Sequence, residues 1–215
     1  MNVPSATEWV KDYSAVQISA GDRDKSILLA FTGVDWDNVS GKFEKEIMQD
    51  SEFIKKMGKK YELAQIDIPG GEAEVSEEEM QSIFTYAMMY GLQTTPSLIL
   101  VDSKGASYGI VAYSEDMGLE AVIEAVENAE TAFKDLKKLK DSIDKAQGVK
   151  KVKLIDELYE KSSDEERVEL MDYILEVPAL DPKNESGLLG KYKLLGGYNE
   201  ASIYMQKGDV KSARD

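Results

Sequence analysis

Two short apolar runs constrain this chain more than any other feature. Ile27-Leu28-Leu29-Ala30-Phe31 and Ser97-Leu98-Ile99-Leu100-Val101 carry no charged residue. Runs this short, with no apolar/polar alternation, read as strands buried on both faces, and such strands belong to a sheet that helices cover on either side. A third segment, Tyr61 to Ile68, alternates and stops at Pro69-Gly70-Gly71, a strand followed by a turn. Ser103-Lys104-Gly105 then joins the second apolar run to a returning strand, Ser107 to Tyr113. A connection so short forces that pair to be antiparallel.

Helical patterns fill the intervals. The first is predicted over residues 5–20, with Trp9, Tyr13, Val16 and Ile18 near one face and Gly21-Asp22 at its end. Thr32-Gly33-Val34-Asp35 reads as a turn. Further helices are expected over 37–48 and from Ser51 to Lys59, with the Ser51 hydroxyl as a cap. Another is expected over 77–90, where Met80, Ile83, Phe84, Ala87 and Met88 recur at helical spacing and Gly91 suits the stop. A long helix spans about 117–146. After Gln147-Gly148 only helical patterns remain, over 149–161, 164–176 and 186–207. Asp164 suits the N-cap of the second, and Pro178 with Asp181-Pro182 suits the break before the third. Leu188, Tyr192 and Leu195 fall together as core. The change of pattern predicts an α/β domain over 1–133 and an all-helical extension over 134–215. A new helix is expected to start at Ala213-Arg214-Asp215, as where a longer protein continues.

Composition removes most chemistry. Among 215 residues there is no cysteine and no histidine. Disulfides, thiol nucleophiles, Cys/His zinc sites, Ser-His-Asp triads and imidazole acid–base catalysis are therefore excluded. The net charge of −15 is concentrated in residues 1–133, which hold 24 acidic and 10 basic residues, against 17 and 16 in 134–215. Such a surface repels phosphate backbones, so nucleic acid is not an expected partner. No apolar run approaches the roughly 18–20 residues of a membrane span. Met1-Asn2-Val3-Pro4 shows neither the basic nor the apolar region of a secretory leader.

The remaining clusters are weak. Asp35, Asp37 and Glu46 match positions 1, 3 and 12 of a calcium loop, but Val39 and Ser40 stand where a ligand and a glycine are needed. No metal or cofactor is assigned. Glu72 to Glu79 holds five glutamates in eight residues, which reads as a solvated loop or as a site for a cation or basic partner. Thr94, Thr95, Ser97 and Ser114 offer hydroxyls without a base, and neither Lys25 nor Lys42 is singled out by spacing. No catalytic residue is assigned.

Two stretches resemble the thioredoxin-like family. The first is Lys25-Ser26-Ile27-Leu28-Leu29-Ala30-Phe31-Thr32-Gly33-Val34-Asp35-Trp36, where that family places a buried strand, a Trp and then the redox Cys-X-X-Cys opening a helix. Phe43-Glu44-Lys45-Glu46-Ile47 and Ser51-Glu52-Phe53-Ile54 are similar to its secreted, single-domain bacterial branch. The second is Tyr90-Gly91-Leu92-Gln93-Thr94-Thr95-Pro96-Ser97-Leu98-Ile99-Leu100, similar to the segment that sets a cis-proline opposite the redox motif. The resemblance covers about residues 5–133 and implies the thioredoxin fold, a central mixed sheet flanked by helices. It also implies that Asp37 and Ser40 stand where the cysteines would be. Neither can form a disulfide. A carboxylate at a helix N-terminus is a cap, and it uses the free N–H groups that would otherwise stabilise a thiolate.

The function this implies is a redox-inactive interaction or scaffold module that binds a protein or peptide in a groove framed by Trp36, Asp37, Thr95 and Pro96. The alternative is non-thiol or metal-dependent chemistry around Asp37. The first predicts an exposed apolar patch near Trp36 and Pro96; the second predicts a deep pocket at Asp37. The secreted relatives point to the periplasm or cell envelope, and the acidic composition suits the cytoplasm equally.

Overall fold

The computed structural model describes residues 7–71, 75–208 and 212. Residues 5 and 6 of the first expected helix, Glu72–Glu74 at the head of the acidic run, and Ala213–Asp215 lie outside the described residues. By contacts, the chain divides into two compact units, Met1–Phe133 and Lys134–Asp215.

In the first unit the two apolar runs become β1 (Ser26–Thr32) and β3 (Ser97–Val101), neighbours in a four-stranded sheet. With β2 (Tyr61–Asp67) and β4 (Ser107–Ala112) the strand order is β2-β1-β3-β4. β1 and β2 are parallel, with Ser26 opposite Tyr61 and Thr32 opposite Asp67. β3 is antiparallel to β1, with Phe31 opposite Ser97, and β4 is antiparallel to β3. Five helices complete the unit: α1 (Tyr13–Arg23), α2 (Asn38–Phe43, continuing into a π-helical turn at Glu44–Met48), α3 (Ser51–Met57), α4 (Glu77–Met89) and α5 (Leu119–Lys145).

The pleat divides the apolar residues between two cores. Leu28 and Ala30, with Leu63, Leu98 and Leu100, pack against Phe43, Ile47, Phe53, Val122 and Val126. Ile27, Leu29 and Phe31, with Ile66, Ile99 and Val101, pack against Tyr13, Val16, Ala20 and Tyr90. Ile27 through Phe31 are all at most 1% exposed. At roughly 1.5–3 kcal/mol for each fully buried large apolar side chain, this strand is a major source of the unit's stability.

Several boundaries differ from expectation. The first helix begins at Tyr13, not residue 5, because Asp12 caps it and Val10 is already paired with β2. The Val10 N–H donates to the Leu63 carbonyl and its own carbonyl accepts from Gln65, a short parallel bridge that a helix would break. Trp9 is thus outside the helix, donating from its indole to the Met48 carbonyl at 2.9 Å, and Ile18 is exposed. Gly21-Asp22 does not end the helix; it runs on to Arg23, and Asp24 closes it in the left-handed region at φ 50°. The cap of α3 is Asp50 rather than Ser51, its carboxylate accepting from the N–H groups of Glu52 and Phe53. α4 ends as anticipated. Gly91 has φ 64°, its N–H reaches Met88 and that of Leu92 reaches Ala87, the paired bonds of a Schellman stop. No residue of α4 is fully buried, however. Ile83, Tyr86 and Ala87 lean on the sheet, while Phe84 and Met88 face solvent.

The second unit is helical: the later part of α5, then α6 (Gly148–Lys161), α7 (Asp164–Glu169), α8 (Met171–Leu180) and α9 (Leu189–Gln206). Its core gathers Leu139, Ile143, Val152, Ile155, Leu158, Ile174, Val177 and Tyr192, with Leu188 and Leu195 packed against it. The single helix expected over 164–176 is two, broken at Leu170 (φ −87°, ψ 4°). The cap is Ser163, which exchanges bonds with Glu166 in a capping box and leaves Asp164 inside the first turn. Pro178 lies within α8 instead of in the break. It deprives the Ile174 carbonyl of its helical donor, and Ile174 and Val177, both buried in the turn before the proline, pack the helix into the unit's core.

Candidate functional site

The site grows out of the C-terminal end of β1. After Thr32 the chain turns sharply, with the N–H groups of Trp36 and Asp37 both donating to the Gly33 carbonyl. Asp37 then caps α2. One carboxylate oxygen accepts from the Val39 N–H at 3.0 Å; the other accepts from the Ser40 N–H at 3.1 Å and the Ser40 hydroxyl at 2.6 Å. The same hydroxyl oxygen accepts from the Gly33 N–H at 3.0 Å. Ser40 is fully buried. Asp37 and Ser40 therefore form a closed ring of hydrogen bonds that ties the end of the strand to the start of the helix. Each carboxylate oxygen of Asp37 is turned to the first turn of α2, as in a helix cap.

Trp36 stands beside this ring and is 54% exposed. Its indole N–H donates to the Ile68 carbonyl at 2.8 Å. The ring lies on backbone: a Cβ added to Gly33 would fall 2.5 Å from it, and one on Gly70 would fall 3.4 Å away. A glycine at 33 is thus what lets the indole lie flat against the turn. A second network steadies the same corner. Asp67 accepts from the Thr32 hydroxyl and the Val34 N–H, and Gln65 donates to the Thr32 hydroxyl. Asp67 and Gln65 escaped the sequence reading. Their signal is a pair of polar residues in the second half of β2, with Asp67 two residues before Pro69.

The Thr95–Pro96 peptide bond is cis. Because Phe31 pairs with Ser97, the register brings Pro96 alongside the Thr32 end of β1 and so toward the Trp36 turn. Pro96 is buried, and its carbonyl accepts from the Tyr113 N–H. An apolar patch formed jointly by Trp36 and Pro96 is therefore not exposed; the indole alone reaches solvent. Thr95 is partly exposed, and among the described residues its N–H has no partner, while its carbonyl has only a long contact of 3.4 Å from the Thr94 hydroxyl. Below the turn, Phe43 and Tyr113 are 4.8 Å apart between ring centroids, and burial pushes the Tyr113 phenol up, with Lys42 partly opposing it.

The lysines take no part in this site. Lys25 is buried at the opposite end of β1, donating to the Gly58 carbonyl and paired with Glu62. At about 3.3 Å per residue along the strand it is on the order of 20 Å away. Lys42 donates to the Glu115 carbonyl. Among the described residues no group of three or more carboxylates could hold a metal, and no helix is long and apolar enough to cross a membrane.

No protein-family model and no curated protein matches the chain. Solved structures do. One described as a DsbH oxidoreductase is similar at 24% identity over 60% of this chain and 90% of that one, with a TM-score of 0.51. A disulphide isomerase from Xylella fastidiosa Temecula1 is similar at 16% identity (52% of this chain, 83% of that one, TM-score 0.39). A thioredoxin from Thermus thermophilus is similar at 13% identity (58% and 86%, TM-score 0.41). The likeness is one of fold. The chain has the thioredoxin fold, with a helical region after it. These 215 residues hold no cysteine, and so no thiol for thiol–disulfide exchange.

Proposed function

We propose that this protein is a non-catalytic interaction module, in which Asp37 and Ser40 occupy the two positions of a lost Cys-X-X-Cys and the helical region 134–215 is an extension to the thioredoxin-like domain. The observation that carries this reading is the closed ring of Gly33, Asp37 and Ser40. It fills the place of a reactive pair with groups whose hydrogen bonds are spent on the fold. Beside it stand an exposed aromatic anchor, Trp36, and an open backbone N–H at Thr95. That combination suits an extended peptide, which adds main-chain bonds at Thr95 and packs a side chain on the indole. Asp37 lines this groove as a cap rather than as a ligand.

The test is a pull-down from native extract with wild type and a Trp36→Ala, Thr95→Arg double variant. The double variant is expected to lose the partners that wild type retains; recovery of the same set by both removes the groove from consideration. An insulin-reduction assay is expected to stay at background. The cell envelope is the proposed compartment, on the resemblance of Phe43–Ile47 and Ser51–Ile54 to secreted bacterial relatives, and fractionation of the native protein checks it.

A further inference from the structure

α4 has two apolar sides and the sheet covers one. Phe84 is 55% exposed and Met88 83% exposed, spaced four residues apart on the outward side. Together with Val75 and Met80 they line an open concavity of about 560 Å³. The acidic character of this stretch is extreme. Between Lys60 and Lys104 there is no basic residue and there are eight acidic ones. Glu77, Glu78 and Glu79 form the first turn of α4, all three exposed, and among the described residues none of them is in an ion pair.

We infer that this side of α4 docks a cationic amphipathic helix of a partner protein. Apolar side chains at i and i+4 spacing of that helix seat on Phe84 and Met88, and Lys or Arg at one of its ends meets Glu77–Glu79. Methionine suits such a surface because its unbranched, polarisable side chain adapts to the shape that arrives. The charge argues for a partner of opposite sign over a second copy, since two chains of net charge −15 repel. The site shares no lining residue with the Trp36–Thr95 groove, and either can fail without the other.

The test titrates the full 215-residue chain against a fluorescent helical peptide of Leu and Lys at amphipathic spacing, read by anisotropy. Wild type is expected to bind it. A Phe84→Ser, Met88→Ser variant and a Glu77→Lys, Glu78→Lys, Glu79→Lys variant are each expected to weaken binding at least about tenfold, as is replacing the peptide's Lys by Glu, while Trp36→Ala leaves it within about twofold. The substituted residues are exposed, and circular dichroism confirms that the variants fold. Five results overturn the inference: no binding by wild type; equal affinity for the Lys and Glu peptides; loss with Trp36→Ala but not with Phe84→Ser, Met88→Ser; a dimer in sedimentation that the Phe84→Ser, Met88→Ser variant abolishes; or uptake on phosphatidylcholine vesicles that the same variant abolishes.

Discussion

The two units reach a buried core by opposite routes. In the first, β1 is held by partners far along the chain, β2 about 35 residues on and β3 about 70 residues on, so one strand sets the register of both. Its apolar residues are consecutive and feed two cores at once. In the second unit each helix offers one stripe to helices near it in sequence, such as Val152, Ile155 and Leu158 on α6. Its polar links join helix surfaces and not strand backbones: Lys191 bridges Asp156 and Glu160, and Tyr192 donates to Asp156. The first unit is strongly acidic and the second nearly neutral. Non-local pairing makes a frame rigid enough to hold a shaped corner at a strand end, and that is where the candidate site lies. Stacked helices instead offer broad faces.

The largest effects should separate the units. Both tryptophans, Trp9 and Trp36, belong to the first, so fluorescence follows that unit while far-ultraviolet dichroism follows both. Phe31→Ala is expected to cost about 3–5 kcal/mol and to move the fluorescence transition in denaturant. Ile155→Ala, at about 2–5 kcal/mol, should move the dichroism transition and leave fluorescence in place. If each substitution moves both probes equally, the units unfold as one and the comparison breaks.

Ser40→Ala tests the corner itself. It strands the buried Gly33 N–H and should cost about 1–3 kcal/mol, read in the fluorescence transition alone. Asp37→Ala removes the cap and should cost about 0.5–2 kcal/mol. Gly33→Ala is expected to change stability little, because the exposed indole can swing away. In a Trp9→Phe background it should shift the emission of Trp36 as the bond to the Ile68 carbonyl is lost.

The smallest effect belongs to the second unit. Hydrogen bonds from the Ser186 hydroxyl and amide, and then from the Glu185 amide, hold the Asp181 carboxyl below its ordinary value of 3.8. A lowered folded-state value stabilises fully above that ordinary value and fades as the pH falls through the lowered one. Asp181→Asn should therefore lower the melting temperature of the dichroism transition at neutral pH, and that deficit should shrink as the pH falls below about 4.

Much of the fold was legible because its signals are local. An unbroken apolar run, a Pro-Gly-Gly stop and a three-residue turn each act within a few residues, and β1, β2, β3 and the β3–β4 hairpin followed from them. Helix starts were harder. At Asp50 and Ser163 two neighbouring residues could each cap, and the geometry of the incoming chain decided between them. Trp9 read as helical since its spacing to Tyr13 and Val16 fits, but the Val10 bridge to Leu63 and Gln65 claimed that segment through contacts more than fifty residues away.

At the site the division is sharper. The sequence by itself determined the chemistry that is absent: with no cysteine and no histidine, no folding can supply a thiol or an imidazole. It also determined that β1 is buried on both sides, because five consecutive apolar side chains leave no face for water. Tertiary structure alone decided what the remaining residues do. Asp37 and Ser40 are three apart in sequence, yet their hydroxyl–carboxylate bond acquires its meaning from the Gly33 N–H that closes the ring. Pro96 is buried and Trp36 exposed, though both are apolar residues flanking the same corner, because only one of them has β1 and β4 packed around it. Burial is a property of what comes to lie on a residue, and for these two that is settled by strands distant in the chain.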